Sequence, residues 1–246
     1  NTTCPFVEKV WKVSNKLSKN DYTIIIHGKH THEETQATFS HSDSSGPSLI
    51  IKDIKEAQFL EEVILGTKSA EDFYKVFEGR YSKNVDIINH LDKIGVVNQT
   101  TMLATETQEI ANFLKNTMIK KYDPAQIKEH FADTRDTLCY ATNDNQQATL
   151  GLLKEQADFA IVVGGYNSSN TSHIVELCEE KLPTYFISSA KDIESNTSIN
   201  HFDFYNKKEI TSNNYMSGNK KVIKIILTSG ASCPDTIVDT VLDKLI

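Results

Sequence analysis

Apolar residues recur at helical spacing from Phe6 to Leu17, at Val7, Val10, Trp11 and Leu17. The chain then enters an unbroken apolar run of strand length in YTIIIHG, residues 22–28. The theme repeats. SLIIKD (48–53) predicts a strand, IKEAQFLEEVIL (54–65) a helix, and KIGVVNQTT (93–101) a strand that ends in a polar loop. A helical pattern runs from Glu106 to Lys121; Tyr122, Asp123 and Pro124 break it, and Pro124 opens a short helix through His130. In the second half a helix follows Gln146, then the strand DFAIVVGG (158–165), a helix from Thr171 to Glu180 and the strand TYFISS (184–189). An irregular polar stretch covers Glu194 to Asn219, KVIKIILTSGAS (221–232) reads as strand plus loop, and Pro234 starts a last helix that reaches Leu245.

Strands alternating with helices predict an α/β fold with mostly parallel sheets covered on both faces. The chain has 246 residues, enough for two such units in succession. The join is expected between Tyr122 and Asp136, giving domains 1–135 and 136–246. Ligands of such sheets gather at the carboxyl ends of the strands. HGKHTHEET (27–35), NQTTM (98–102), VVGGYNSSNT (162–171) and LTSGAS (227–232) all occupy that position.

Composition narrows the choices. A charged fraction of 24% with net charge -7 describes an acidic protein without a basic stripe, which argues against a nucleic-acid partner. The longest apolar runs, such as IKIIL, are of strand length, so no membrane span is expected, and no signal peptide is seen. The first residue is Asn1 rather than Met, which suggests that the sequence begins inside a longer protein.

VVGGYNSSNTSHIVEL (162–177) carries a strand through a glycine bend into a helix start, where amide groups and the helix dipole favour an anion. A plain capped turn would use the same Ser, Thr and Asn residues. HGKHTHEET holds three histidines and two carboxylates, but the zinc pattern H-E-x-x-H fails because position 36 is Gln36. A glutamate here would serve as a proton donor if burial or a bound anion weakened its acidity; otherwise the segment is a solvated turn. Cys4, Cys139, Cys178 and Cys233 show no C-x-x-C spacing, which removes a zinc ribbon or a thioredoxin motif. Cys4 and Cys139 each precede a helix, a position that favours thiolate and so a soft metal ligand or a reactive thiol, with packing as the alternative. Cys178 reads as a packing residue and Cys233 as a small loop residue or a reactive thiol.

Taken in order, NTTCPFVEKVW, IIHGKHTHEETQAT, NQTTMLATET, DTLCYAT, VVGGYNSSNTSH and LTSGASCPD resemble the motifs of the 4-hydroxy-3-methylbut-2-enyl diphosphate reductase family, in its plant and cyanobacterial form. The resemblance implies an iron-sulfur oxidoreductase of three α/β domains in a trefoil-like arrangement, with this chain supplying the second and third. Its implied reaction is the reductive removal of a hydroxyl that gives isopentenyl and dimethylallyl diphosphates, the last step of the non-mevalonate isoprenoid pathway. It also implies that Cys4 and Cys139 are two of three thiolates on a 4Fe-4S cluster, the third lying outside this sequence. His32 would face the diphosphate, Glu34 would donate the proton that releases water, and Thr100 with Gln99 would order the hydroxyl and the proton path. Ser168, Ser169, Asn170 and Ser232 would anchor the diphosphate. The implied partners are a small diphosphate substrate and ferredoxin or a similar electron donor, in a plastid-type stroma or a bacterial cytoplasm. Two other readings are a truncated, noncatalytic diphosphate-binding module and a thiol or zinc hydrolase, for which the spacing is unsuitable.

Overall fold

A computed structural model describes residues 3–83, 85–132, 134, 137, 139–216 and 222–246. The chain divides into two compact units, Asn1–Cys139 and Tyr140–Ile246.

In the first unit the elements follow in the order α1 (Pro5–Ser18), β1 (Thr23–His27), α2 (Glu33–Asp43), β2 (Ser48–Ile51), α3 (Ile54–Ile64), α4 (Ala70–Val76), α5 (Ile87–His90), β3 (Ile94–Asn98), α6 (Ala104–Lys121), a 3-10 turn, α7 (Ile127–His130) and β4 (Phe131–Ala132). The strands form one parallel sheet in the order β2-β1-β3-β4. Every residue of β1 and of β3 is buried, as expected for central strands of a sheet with two covered faces. Alternation divides the side chains between the faces. Ile25, Leu49, Ile51 and Val96 pack with Leu60 of α3 and Leu114 of α6, whereas Ile24, Ile26, Ile50 and Val97 pack with Val10 and Leu17 of α1 and Phe39 of α2. Each fully buried aliphatic side chain contributes roughly 1.5–3 kcal/mol, so this double layer fixes where the strand ends lie.

The second unit contains α8 (Tyr140–Leu152), β5 (Phe159–Val163), α9 (Ser169–Glu179), β6 (Thr184–Ile187), a 3-10 turn, β7 (Ser198–Asp203), β8 (Lys208–Asn213), β9 (Ile225–Ser229) and α10 (Asp235–Leu245). A parallel sheet runs β6-β5-β9, and β7 pairs with β8 as an antiparallel ribbon. Ala160 and Val162 of β5 face Ile174, Val175 and Cys178 of α9; Phe159, Ile161 and Val163 face the other way, toward a cluster with Ile199 of β7 and Val241 of α10. The fold is thus mixed α/β with parallel sheets.

Three expectations need correction. The stretch 194–219, expected to be irregular, carries the β7–β8 ribbon; its residues 217–219 lie outside the described ones. Only Ile199 and His201 of β7 are buried, so the alternation is too sparse in apolar residues to announce a strand. The helix expected after Gln146 begins at Tyr140, because its buried face is Thr142, Gln146 and Thr149 rather than an apolar stripe. The segment 33–43, taken as a turn in its first residues, is helical, again with a hydroxyl-lined buried face of Thr35, Thr38 and Ser42.

Candidate active site

In the first unit the candidate residues meet at the carboxyl ends of β1 and β3. These strands pair as far as His27 with Asn98, and the amide of Gln99 continues the ladder by donating to the His27 carbonyl at 2.8 Å. From β1 the chain passes through Gly28 into α2. A Cβ on Gly28 would lie 2.6 Å from Thr35 Oγ1 and 3.0 Å from Gln99 Cβ, so the missing side chain lets this turn close on the next strand. His32 is the N-cap of α2, and its Nδ1 accepts from the Glu34 amide at 3.2 Å. An Nδ1 that accepts leaves the ring proton on Nε2.

Glu34 is the second residue of α2, half-buried in its first turn, and Thr100 grips its carboxylate from the loop after β3. The Thr100 amide donates to Oε1 at 2.5 Å and the Thr100 hydroxyl to Oε2 at 3.0 Å. Burial pushes the Glu34 carboxyl above its ordinary range, and these two donors pull in the opposite direction without cancelling the effect. The result is a carboxyl group that retains its proton longer than a surface glutamate. Gln99, fully buried, is fixed by Thr35 Oγ1 and the Lys29 amide, which donate to its Oε1 at 2.9 and 3.2 Å, while its Nε2 donates to Thr101 Oγ1 at 2.6 Å. The structure therefore brings His32, Glu34, Gln99 and Thr100 into one hydrogen-bonded neighbourhood.

In the second unit β5 ends at Val163 and the chain turns through Gly164 and Gly165 into α9, capped by Ser168, whose hydroxyl accepts from the Thr171 amide at 3.3 Å. A helix start of this kind presents amide groups to an anion. Asn170 is 5% exposed, and neither atom of its side-chain amide has a hydrogen-bond partner among the described residues. Buried polar groups are almost always paired, so this amide calls for a ligand or ordered water. Thr171 is fully buried between two bare glycines. A Cβ on Gly164 would come within 2.7 Å of its hydroxyl, and one on Gly230, after β9, would overlap it outright. Ser169 is half-buried beside the cap, and Ser232 is exposed in the loop after β9.

Cys4 is exposed and is the N-cap of α1; Cys139 is half-buried and immediately precedes α8. Both thiols sit at helix starts, and as soft donors they suit iron. Two candidate thiols are one short of the three thiolates implied above, and among the described residues no group of three or more His, Cys, Asp or Glu side chains is placed to hold a metal ion. The other cysteines offer no substitute. Burial pushes the Cys178 thiol up to about 12, which keeps it a packing residue, and also raises that of the half-buried Cys233.

The family model described as LytB protein matches residues 1–246. The chain belongs to the LytB protein family. Among its relatives, the 4-hydroxy-3-methylbut-2-enyl diphosphate reductases of Trichormus variabilis and Nostoc sp. are each 41% identical over 246 residues, and that of Prochlorococcus marinus is 40% identical over 247. Each alignment covers 100% of this chain and 60% of the relative, so the chain spans well under two thirds of these LytB proteins. A solved structure titled as the E-1-hydroxy-2-methyl-but-2-enyl-4-diphosphate reductase from Plasmodium falciparum superposes with a TM-score of 0.64 at 22% identity, over 98% of this chain and 57% of that one, a likeness of fold.

Sequence patterns passed over three LytB-chain residues that geometry brings forward: Thr35, which fixes Gln99, Thr171, which wedges the two glycine turns, and His173, whose buried Nε2 has no hydrogen-bond partner among the described residues. The spacing of Thr35, Thr38 and Ser42 could have signalled a helix with a buried hydroxyl face.

Proposed function

We propose that this chain forms the proton-donating and diphosphate-binding parts of a 4-hydroxy-3-methylbut-2-enyl diphosphate reductase. The carrying observation is Glu34, a half-buried carboxyl with weakened acidity, held at both oxygens by Thr100 at the carboxyl edge of a parallel sheet. Its task is to protonate the departing hydroxyl of the allylic alcohol. The C–O bond breaks, the oxygen leaves as water, two electrons enter the allyl fragment, and a second proton on carbon gives isopentenyl or dimethylallyl diphosphate.

The hydroxyl of Thr100 orders the substrate hydroxyl against Glu34, and Gln99 keeps the loop that carries Thr100 in register. His32, with its proton on Nε2, is a donor for the diphosphate, as are Ser168, Ser169, Asn170 and Ser232. Relatives that carry the reductase name, and the buried amide of Asn170, support the assignment of a diphosphate to the α9 turn. Cys4 and Cys139 would hold a 4Fe-4S cluster together with a third thiolate from outside these 246 residues. Such a cluster supplies electrons singly and an iron that polarises oxygen. A ferredoxin-like protein is the proposed electron donor, in a bacterial cytoplasm or a plastid-type stroma, the setting implied by the cyanobacterial relatives.

The test is anaerobic turnover of the full-length protein, reconstituted with iron and sulfide and supplied with a reduced viologen dye. Release of both diphosphate products is expected. Substrate left unchanged by cluster-loaded protein would remove the proposal.

A further inference from the structure

Asn98, the last residue of β3, is fully buried, and its side-chain amide joins two parts of the first unit that are distant in sequence. Its Nδ2 donates to the Gln99 carbonyl at 2.9 Å. A carbonyl oxygen only accepts, so the amide nitrogen must face it, which leaves the amide oxygen for a donor. That donor is the Thr137 hydroxyl, 2.8 Å from Oδ1.

The first bond leads to Glu34. The Gln99 carbonyl receives the Met102 amide at 3.0 Å as well as Asn98 Nδ2, so its direction is fixed from two sides. This carbonyl and the Thr100 amide belong to one planar peptide and point in opposite directions from it. Holding the oxygen end therefore aims the N–H end, which is the donor that reaches Glu34 Oε1 at 2.5 Å.

The second bond leads to the segment before Cys139. Thr137 is 4% exposed and lies two residues before that cysteine. Its amide donates to the Thr134 carbonyl at 3.1 Å, and the Thr134 hydroxyl donates to the Val96 carbonyl, which ties the same segment to β3 at a second point. The Thr137 hydroxyl also lies 3.0 Å from the Thr134 carbonyl, but it has one proton to give; the amide already serves that carbonyl, and the shorter contact is to Asn98.

We propose that Asn98 is a positioning residue that holds the Glu34 proton donor and the Cys139 segment to one reference point, through the Gln99–Thr100 peptide on one side and Thr137 on the other. A general acid must stand within hydrogen-bond reach of the atom it protonates, and a misplacement of about 1 Å costs about a hundredfold in rate. One buried amide bonded to both segments keeps their separation constant. This inference rests on the reading of Glu34 as the proton donor and Cys139 as a cluster ligand.

The test uses Asn98→Leu, Thr137→Val and Thr137→Ser in the full-length protein, with 13C carboxyl NMR to titrate Glu34 and amide hydrogen exchange to follow Thr137. Asn98→Leu frees the Gln99 carbonyl and so weakens a donor to the Glu34 anion; the Glu34 midpoint should rise by about one unit. Exchange at the Thr137 amide should be about tenfold faster, the effect of losing one buried hydrogen bond. Thr137→Val keeps the bond from Nδ2, so it should give the faster exchange with a smaller rise of the midpoint. Thr137→Ser, which keeps the hydroxyl, should match the wild type in both. A merely structural role would loosen the Thr137 segment without moving the Glu34 midpoint. An unmoved midpoint or unchanged exchange in Asn98→Leu overturns the joint, and if that variant does not fold, the same two readings in Thr137→Val decide. Turnover of the cluster-loaded wild type separates the two levels: an inactive wild type overturns the reading on which the joint rests, whereas an active wild type with unmoved midpoints in the variants overturns the joint alone.

Discussion

Thr100 holds both oxygens of the Glu34 carboxylate across 66 residues of sequence, with its amide 2.5 Å from Oε1 and its hydroxyl 3.0 Å from Oε2. Two opposed effects meet in this pair. Burial favours the neutral acid, and the two donors favour the anion. Burial prevails, which leaves Glu34 able to give up a proton yet held in one orientation.

Replacing Thr100 with Val removes one of the two donors and leaves the steric volume nearly unchanged. The Glu34 carboxyl should move further above its ordinary range, and Thr100→Ser should leave it close to the wild type. A 13C carboxyl titration by NMR measures both. The ionised form of Thr100→Val also loses a charged hydrogen bond, which destabilises the protein by about 1.5–3 kcal/mol at alkaline pH. An unmoved titration in Thr100→Val would show that the hydroxyl contact is not made in solution.

Glu34 also predicts a pH dependence of stability. Its folded value is raised, so the native state keeps a proton that the unfolded chain has lost once pH exceeds the ordinary glutamate value of about 4.3. Stability from this group is complete below that value and declines as pH rises through the folded value. Glu34→Gln has no such proton to lose. Urea unfolding of both proteins should show the wild type losing ground to Glu34→Gln as pH climbs through this window, and a constant difference would contradict the raised value.

Gly230→Ala should destabilise the second unit. The added methyl group would overlap the Thr171 hydroxyl and approach Thr171 Cβ to 3.0 Å, and the fully buried threonine has little room to yield. Overpacking of this kind costs about 1–3 kcal/mol. Gly165→Ala, with open space around the added atom, is the control. Thermal unfolding compares them; equal midpoints would mean that the glycine turn is less tightly closed than described.

Iron content tests the thiolates. Cys4→Ser and Cys139→Ser, each in the full-length protein reconstituted anaerobically, should lower bound iron and acid-labile sulfide well below four atoms per chain. Cys178→Ser should leave both unchanged, because that thiol is buried in the α9 core. Normal iron in either of the first two variants would remove that cysteine from the ligand set.

Much of the fold is legible in the sequence. TIIIH and FAIVV announce central strands because burial on both faces demands continuous apolar residues, and Pro234 marks the start of α10 because proline suits the entry to a helix. Elements that bury polar faces were not legible. α2 packs Thr35, Thr38 and Ser42 inward, α8 packs Thr142, Gln146 and Thr149, and the β7–β8 ribbon has too few apolar residues to show its alternation. At the candidate site the motifs supplied the names of Glu34, Thr100 and Asn170. They carried nothing about the Thr100 grip on Glu34, which depends on sheet register, or about the unpaired Nε2 of His173, which depends on packing.

The most direct test of the account is the turnover of Glu34→Gln in the full-length, cluster-loaded protein under the proposed reaction. General acid catalysis contributes about a hundredfold to ten-thousandfold, so turnover should fall within that range while iron content and diphosphate affinity remain at wild-type values. Near-normal turnover in Glu34→Gln would show that the proton comes from another group, and the central role given to the Glu34–Thr100 pair would be wrong.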